Sequence, residues 1–184
     1  MSLPPLDPLA TPRLTLRAVG EADLPDLLKV NGDEQVTAYL PYATWAGLED
    51  GAAWLARMRA QEAEGTTRQL VIALGAAGPV VGSVLLFRYD ADSARAELGY
   101  VLGRAHWGQG LMHEALRHLC AHAFGSLGLR RLEAEVNPDN RASSALLERL
   151  GFQREGLLRQ RWTRKGRTYD THLYGLLRDE WRGE

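Results

Sequence analysis

Seven segments of the chain carry the short apolar or alternating pattern that predicts β-strands. Four other segments repeat apolar residues every three or four positions, which predicts helices over residues 22–31, 48–65, 111–124 and 140–150. Residues 36–47 are rich in aromatic side chains and proline, and they are predicted to form a loop. The predicted strands are residues 13–17, 69–74, 80–89, 94–102, 129–136, 152–162 and 168–177.

The order of these elements, β-α-α-β-β-β-α-β-α-β-β, predicts a mixed α/β domain around one sheet. Short links at residues 75–79 and 90–93 join three consecutive strands, which favours an antiparallel meander in that part of the sheet. Residues 1–184 are predicted to form a single domain, and the prolines among residues 1–10 keep that N-terminal segment extended.

Composition and net charge exclude several classes of protein but do not identify a function. A chain of 184 residues that is 45% hydrophobic can form an ordinary core without disulfides or a structural metal. The single cysteine, Cys120, is consistent with a reducing compartment. A formal net charge of −1 argues against direct nucleic-acid binding. The N-terminus lacks the cationic region of a secretory signal, and no apolar run approaches a membrane span, so a cytoplasmic location without membrane association is expected.

The most informative segment is the glycine-bearing loop at residues 103–110, between a predicted strand and a predicted helix. The first amides of a helix have no partner inside it, and with the helix dipole they form an anion site. Gly108 and Gly110 let the backbone approach a phosphate closely. The spacing fits neither a Walker loop nor a dinucleotide fingerprint. A tight turn is the structural alternative, and a mononucleotide bearing a pyrophosphate is the ligand that fits best.

The chain resembles the GNAT superfamily of acetyltransferases, and within it the RimJ/RimL branch, over nearly its whole length. The family signature is Gln/Arg-x-x-Gly-x-Gly/Ala between a strand and a long helix. The resemblance implies a mixed, mostly antiparallel seven-stranded sheet with helices on both faces, and acetyl-CoA as the acyl donor. The segments that carry it are residues 11–17, 107–116, 137–152, 155–156 and 169–181.

The resemblance also assigns residues to the donor. Val101 and Leu102 would bind the pantetheine arm through their backbone, and Asn140 and Ser143 would lie beside the arm and the thioester. The first position of the signature is Ala105 here, so the side chain that the family places there is missing. The predicted pyrophosphate-binding residues are Trp107, Gly108, Gln109, Gly110, Leu111 and Met112.

Acylation of an amine requires a base for the ammonium proton and an acid for the departing thiolate. Glu97 corresponds to the base glutamate of several GNAT enzymes, although a structural glutamate paired with Arg95 or Arg131 is the alternative. Many family members carry a tyrosine seven residues after the signature asparagine, where this chain has Leu147. The acid is therefore predicted to be Ser143 or a water molecule.

Four aromatic residues are predicted either to line the acceptor cleft or to serve as hydrophobic anchors: Tyr39, Tyr42, Trp45 and Trp162. No metal site is predicted, because His113 and His118 are five residues apart and point in different directions around a helix.

The RimJ/RimL resemblance implies that the acceptor is the N-terminal α-amine of a protein. A small amine, an amino acid or an antibiotic, and a donor such as succinyl-CoA, are alternatives. A different class is a non-catalytic CoA-binding or ribosome-associated module. Dimers are common in the branch, which makes a homodimer an expectation by analogy.

Overall fold

The structure is a computed structural model, and it describes residues 2–183. Three short 3-10 helices lie at Glu21–Asp23, Arg104–His106 and Arg178–Glu180. The α-helices are α1 Leu24–Asn31, α2 Glu34–Thr37, α3 Leu48–Ala63, α4 Leu111–Gly125 and α5 Arg141–Arg149. The strands are β1 Leu9–Ala10, β2 Leu14–Ala18, β3 Arg68–Leu74, β4 Val80–Asp90, β5 Arg95–Leu102, β6 Arg131–Val136, β7 Gln153–Arg164 and β8 Arg167–Leu177.

The strands form one sheet in the order β1-β2-β3-β4-β5-β6-β8-β7. Strands β5 and β6 run parallel, and the other neighbouring pairs are antiparallel. The mixed, mostly antiparallel architecture is therefore confirmed, but the predicted number of seven strands is wrong, because the sheet has eight. The added strand is β1, whose two residues pair with β2 inside the segment predicted to be merely extended. Two residues are too few to show an alternating pattern.

A second difference is α2, which occupies part of the predicted loop 36–47. This single turn begins after Asp33, whose carboxylate accepts a hydrogen bond from the backbone amide of Gln35. An aspartate at this position is a strong start signal for a helix. The turn carries too few apolar positions to be detected by periodicity.

Helices cover both faces of the sheet, as predicted. On β3, Leu70 and Ile72 pack into the core that contains the apolar side of α4. The alternate residues Val71 and Ala73 pack into the core formed with α1 and α3. The alternation follows from the period of a strand, and it shows that β3 is buried on both sides.

The parallel contact between β5 and β6 is short. It joins Arg95–Glu97 to Arg131–Glu133 and ends there. Beyond Glu97, β5 stays paired with β4 as far as Leu102, while β6 stays paired with β8 as far as Val136. The two strands therefore part and leave a cleft between them. We refer to this feature as the β5–β6 cleft.

Candidate active site

Strand β5 directs its side chains alternately to the two faces of the sheet beside the β5–β6 cleft. Leu98 packs into the core under α4, and Tyr100 lies against the same core. Val101 packs on the opposite face with residues of α1 and α2. Since alternate residues share a face, Glu97 lies on the side of Val101. Glu97 and Tyr100 thus flank the cleft from opposite faces.

Glu97 is a buried carboxylate with one direct counter-charge. Its side chain is 8% exposed, and its Oε2 accepts a hydrogen bond of 2.7 Å from Nη1 of Arg88 on β4. Burial raises the pKa of Glu97 above its ordinary value, while the Arg88 guanidinium opposes that rise. Neither Arg95 nor Arg131 is its partner, because both pair with Glu133. The partner of Glu97 is therefore Arg88, and not Arg95 or Arg131 as the structural alternative required.

Two further carboxylates lie on the same face, on β6. Glu133 is engaged by its two arginines, and Glu135 accepts a 2.7 Å hydrogen bond from Nε1 of Trp162 on β7. Glu135 also lies 3.4 Å from Arg88 and 3.5 Å from Arg161. This chain of ion pairs links the candidate base to the hairpin formed by β7 and β8.

On the opposite face, a hydroxyl pair joins β5 to α5. The hydroxyl of Tyr100 lies 2.6 Å from Oγ of Ser143. Asn140 caps α5 by accepting a 3.2 Å hydrogen bond from the Ser143 amide, which fixes the serine backbone. Burial raises the pKa of Tyr100 to about 12, so its hydroxyl keeps its proton at neutral pH. Leu147, in the position of the family tyrosine, is fully buried in the core.

The loop before α4 has the conformation that its glycines permit. Gly108 has a φ of 73° and Gly110, the N-cap of α4, has a φ of 74°. A Cβ added at Gly108 would meet open space, and one added at Gly110 would meet Arg13 at 3.6 Å. The backbone amide of Glu114 donates to the Gly110 carbonyl. The amides at the start of α4 precede that bond and are free to bind an anion.

Arg13 and Thr11, near the N-terminus, contact this loop and the first turn of α4. Nη1 of Arg13 donates to the Gln109 carbonyl at 3.0 Å, and its Nε pairs with Glu114 of α4 at 2.6 Å. The Thr11 hydroxyl donates to the same carboxylate. Arg104 precedes Ala105, the position where the family signature has Gln or Arg. Its Nε pairs with Oδ2 of Asp33 at 2.7 Å and not with the loop. Arg13 is therefore a cation held against the backbone of the loop.

The other residues predicted to bind acetyl-CoA lie on both sides of this loop. Leu111 and Met112 point their side chains into the core, so they offer backbone groups to a ligand. Trp107 is 47% exposed, and its indole donates to the Leu102 carbonyl at 2.7 Å. Val101 and Leu102 lie on the part of β5 that has separated from β6. The Gly103 amide donates to the Val81 carbonyl, so in this register the backbone groups of Val101 bond to Ser83 on β4. The backbone groups of Tyr100 and Leu102 therefore face the open edge of β5, not those of Val101 as predicted.

The four aromatic residues predicted on the acceptor side have different surroundings. Trp45 is 6% exposed and packs 5.6 Å from Trp54, centre to centre, inside the core. Tyr42 donates to the side chain of Asn31, and burial raises its pKa. Tyr39 is exposed, and its hydroxyl reaches the Asp139 backbone at 3.3 Å. Together with Trp162, Tyr39 has side-chain surface to offer an acceptor.

Four residues of this arrangement were not selected from the sequence. Arg88 lies on a β-bulge that no local sequence pattern predicts. Glu135 is one of several charged residues on β6, and the sequence does not distinguish it from the others. Arg13 appeared in the family's opening strand without a role. For Tyr100, strand alternation gave a usable signal, because a residue three positions after Glu97 must face the opposite side.

Two further findings concern membranes and metals. No helix within residues 2–183 combines the length and the apolar character needed to cross a membrane. In the same described range, no group of three or more His, Cys, Asp or Glu side chains is arranged to hold a metal ion.

Comparison with known proteins identifies the family. A model of the acetyltransferase (GNAT) domain matches residues 13–153, and the chain therefore belongs to the GNAT acetyltransferase family. The uncharacterized N-acetyltransferase p20 of Bacillus licheniformis is 35% identical over 178 residues, which cover 97% of this chain and 100% of that protein. The ribosomal-protein-serine acetyltransferase of Escherichia coli (strain K12) is 33% identical over 100 residues, 54% of this chain and 56% of that protein.

Among solved structures, Mycobacterium smegmatis RimJ in complex with CoA-disulfide matches with a TM-score of 0.84. The two chains are 26% identical, and the match covers 95% of this chain and 87% of RimJ. The predicted membership of the GNAT superfamily is confirmed.

Proposed function

We propose that the protein transfers acetyl from acetyl-CoA directly to a primary amine, and that the acceptor is the N-terminal α-amine of a protein. The observation that carries the proposal is the placement of Glu97 where β5 and β6 part, with the hydroxyl pair of Tyr100 and Ser143 on the other face. A base and an acid thus flank one cleft. The relatives that act on ribosomal proteins support the choice of acceptor.

The residues present fit the donor. The glycine loop and the start of α4 offer amides to the pyrophosphate, with open space where a Cβ at Gly108 would lie. The open edge of β5 at Tyr100 and Leu102 offers backbone groups to the amides of pantetheine, whereas the backbone of Val101 bonds to β4. The thioester would then lie in the β5–β6 cleft, near Asn140 and Ser143.

The chemistry needs one proton removed and one supplied. The acceptor amine loses a proton to Glu97, through water or directly, and its nitrogen forms a bond to the acetyl carbon. The carbon–sulfur bond breaks, and the thiolate of CoA takes a proton from Ser143. Tyr100, hydrogen-bonded to Ser143, passes a proton to that hydroxyl and is itself reprotonated from solvent. The nitrogen, now bonded to the acetyl carbon, gives its second proton to solvent, and Glu97 releases its proton to solvent after the transfer. The amide product and free CoA balance the reaction.

Tyr100→Phe tests this acid. Loss of the phenol hydroxyl removes one hydrogen bond from Ser143, and we expect kcat to fall by about fivefold to tenfold with the KM for acetyl-CoA unchanged. The kcat of Ser143→Ala should fall by at least the same factor. The kcat of the double variant should equal that of Ser143→Ala, since the two hydroxyls act in series. Steady-state kinetics of the three variants measure this. Additive losses would show that the hydroxyls act independently.

Arg13→Ala tests the brace on the pyrophosphate loop. We expect the KM for acetyl-CoA to rise about tenfold, because the loop loses its tie to Glu114 and a nearby positive charge. The kcat at saturating donor should stay the same. Arg13→Lys keeps the charge without the forked geometry of the guanidinium. Its KM for acetyl-CoA should lie between those of wild type and Arg13→Ala. A loss confined to kcat would contradict this role.

Mass spectrometry with acetyl-CoA and a mixed acceptor panel tests the function as a whole. The panel contains peptides beginning with Ser, Ala or Met, the same peptides with blocked N-termini and one internal lysine, free amino acids, polyamines and aminoglycosides. We expect a gain of one acetyl group on free N-terminal peptides together with release of free CoA thiol.

The other outcomes identify the rivals. Acetylation of polyamines, aminoglycosides or amino acids alone would replace the proposed acceptor by a small amine. CoA binding without any product would favour a non-catalytic module, and faster turnover of succinyl-CoA would change the donor.

A further inference from the structure

Arg88 reaches two carboxylates on the acceptor face, and the reaction described above gives it no role. Its Nη1 lies 2.7 Å from Oε2 of Glu97 and 3.4 Å from Oε1 of Glu135. The backbone that delivers it is distorted: the register of β4 with β5 shifts between Phe87 and Asp90, and Arg88 has a φ of 52°. A positive φ is uncommon for a residue other than glycine, and a bulge redirects a side chain.

The two partners of this ion pair differ sharply in exposure. The Glu97 side chain is 8% exposed, whereas that of Arg88 is 45% exposed. Burial disfavours the charged form of a carboxylate, and the negative charges of Glu133 and Glu135 on the same face disfavour it further. Without a cation beside it, Glu97 would retain its proton to higher pH and could not accept one from an amine.

The other cations near this face have different partners. Arg95 and Arg131 bind Glu133, and Arg161 lies nearest to Glu135. Tyr169 on the β7–β8 hairpin lies near both Glu135 and Arg164. Within residues 2–183, Arg88 is the cation that bonds directly to Glu97. In the same range, no hydrogen bond reaches the second oxygen of Glu97, Oε1.

We propose that Arg88 is a positioning residue that keeps Glu97 in its carboxylate form and holds Oε2, so that Oε1 is left to receive the proton of the acceptor amine. The inference rests on the proposed role of Glu97 as base. In the transfer step, the ammonium proton passes to Oε1 and leaves a neutral amine, while Arg88 keeps its charge and its bond to Oε2. Through Glu135, Arg88 also ties the base to Trp162 on the acceptor side.

The test replaces Arg88 by Met, which removes the charge at similar length, and by Lys, which retains it. Arg88→Gln is a second neutral variant in case the Met variant fails to fold. Arg59→Met is the matched control, because it breaks an ion pair with Glu21 on the surface of α3. Carbon NMR of glutamate-labelled protein follows the carboxyl of Glu97, which is assigned by its disappearance in Glu97→Gln. The pH profile of kcat is measured in parallel.

We expect the titration midpoint of Glu97 to rise by about one pH unit or more in Arg88→Met. It should stay close to the wild-type midpoint in Arg88→Lys and be unchanged in Arg59→Met. Because the carboxylate is the active form, the acid limb of the kcat profile should move to higher pH by the same amount. Activity should recover toward pH 9, with no change in the KM for acetyl-CoA.

An unmoved midpoint in a folded neutral variant would overturn the inference, and so would a loss of kcat by the same factor at every pH. A midpoint that moves while the acid limb stays in place would overturn the role in catalysis. The NMR titration requires no acceptor, so it separates this inference from the proposed function. If wild-type protein acetylates no amine, the proposed function fails whatever the titration shows.

Discussion

Glu97→Gln is expected to lower kcat by about 10²-fold to 10³-fold at pH 7, because it removes the group that takes the ammonium proton. An α-amine with a pKa near 8 is largely charged below that pH, so the loss should be greatest at pH 6–7 and should shrink above pH 8.5. The Kd for acetyl-CoA should be unchanged. Rates measured from pH 6 to 9.5, with donor binding by calorimetry, give both quantities.

The control for this prediction is Glu133→Gln. Glu133 is paired in register with Glu97 across β5 and β6, but it is held by Arg95 and Arg131. Glu133→Gln should leave kcat within about twofold, since the Glu133 carboxylate is already paired with two arginines and takes no proton in the proposed reaction. Equal losses in the two variants would show that the face needs negative charge in general. A rate for Glu97→Gln that equals wild type at every pH would remove Glu97 from the mechanism.

Gly110→Val should raise the Kd for acetyl-CoA about 100-fold. A β-branched residue is strained at the φ of 74° that Gly110 adopts, so the loop must shift and the first amides of α4 move with it. Losing one or two hydrogen bonds to a charged phosphate is worth about 1.5–3 kcal/mol each, which accounts for the size of the effect. Calorimetric titration with CoA measures it without an acceptor.

Gly128→Val provides the matched control. Gly128 has a φ of 67° and lies beyond the other end of α4, where a Cβ would meet Arg178 at 3.9 Å. Both variants should lower the melting temperature, since each forces a branched side chain into the left-handed region. Weakened donor binding in Gly110→Val alone would locate the pyrophosphate at the loop. Similar Kd values for both variants and wild type would exclude that location.

The fold could be predicted from the sequence because its signals are local. Strand alternation on β6 and the left-handed glycine that follows α5, Gly151, both act within a few residues. The order of elements then limits the topology. The two errors have the same cause. Strand β1 and helix α2 are too short for periodicity, and they depend on pairing with β2 and on a single cap at Asp33.

The candidate site was harder to predict, because its contacts join distant parts of the chain. The hydroxyls of Tyr100 and Ser143 meet across the β5–β6 cleft, and Arg13 meets Glu114 across more than half of the sequence. The partner of Glu97 was the hardest to find. Arg95 and Arg131 are its obvious neighbours by position, and only the bulge in β4 brings Arg88 there instead.

The short parallel contact between β5 and β6 divides the sheet into two lobes, β1–β5 and β6–β8, joined at a seam of three residues on each strand. A donor molecule lying in the cleft would contact β5 on one side and α5 on the other. It would then bridge the two lobes and fix the distance between them. The proposed acceptor site would span both lobes, because Glu97 lies on β5 and Trp162 lies on β7. We therefore expect ordered binding, in which the donor enters first and sets the spacing that the amine encounters.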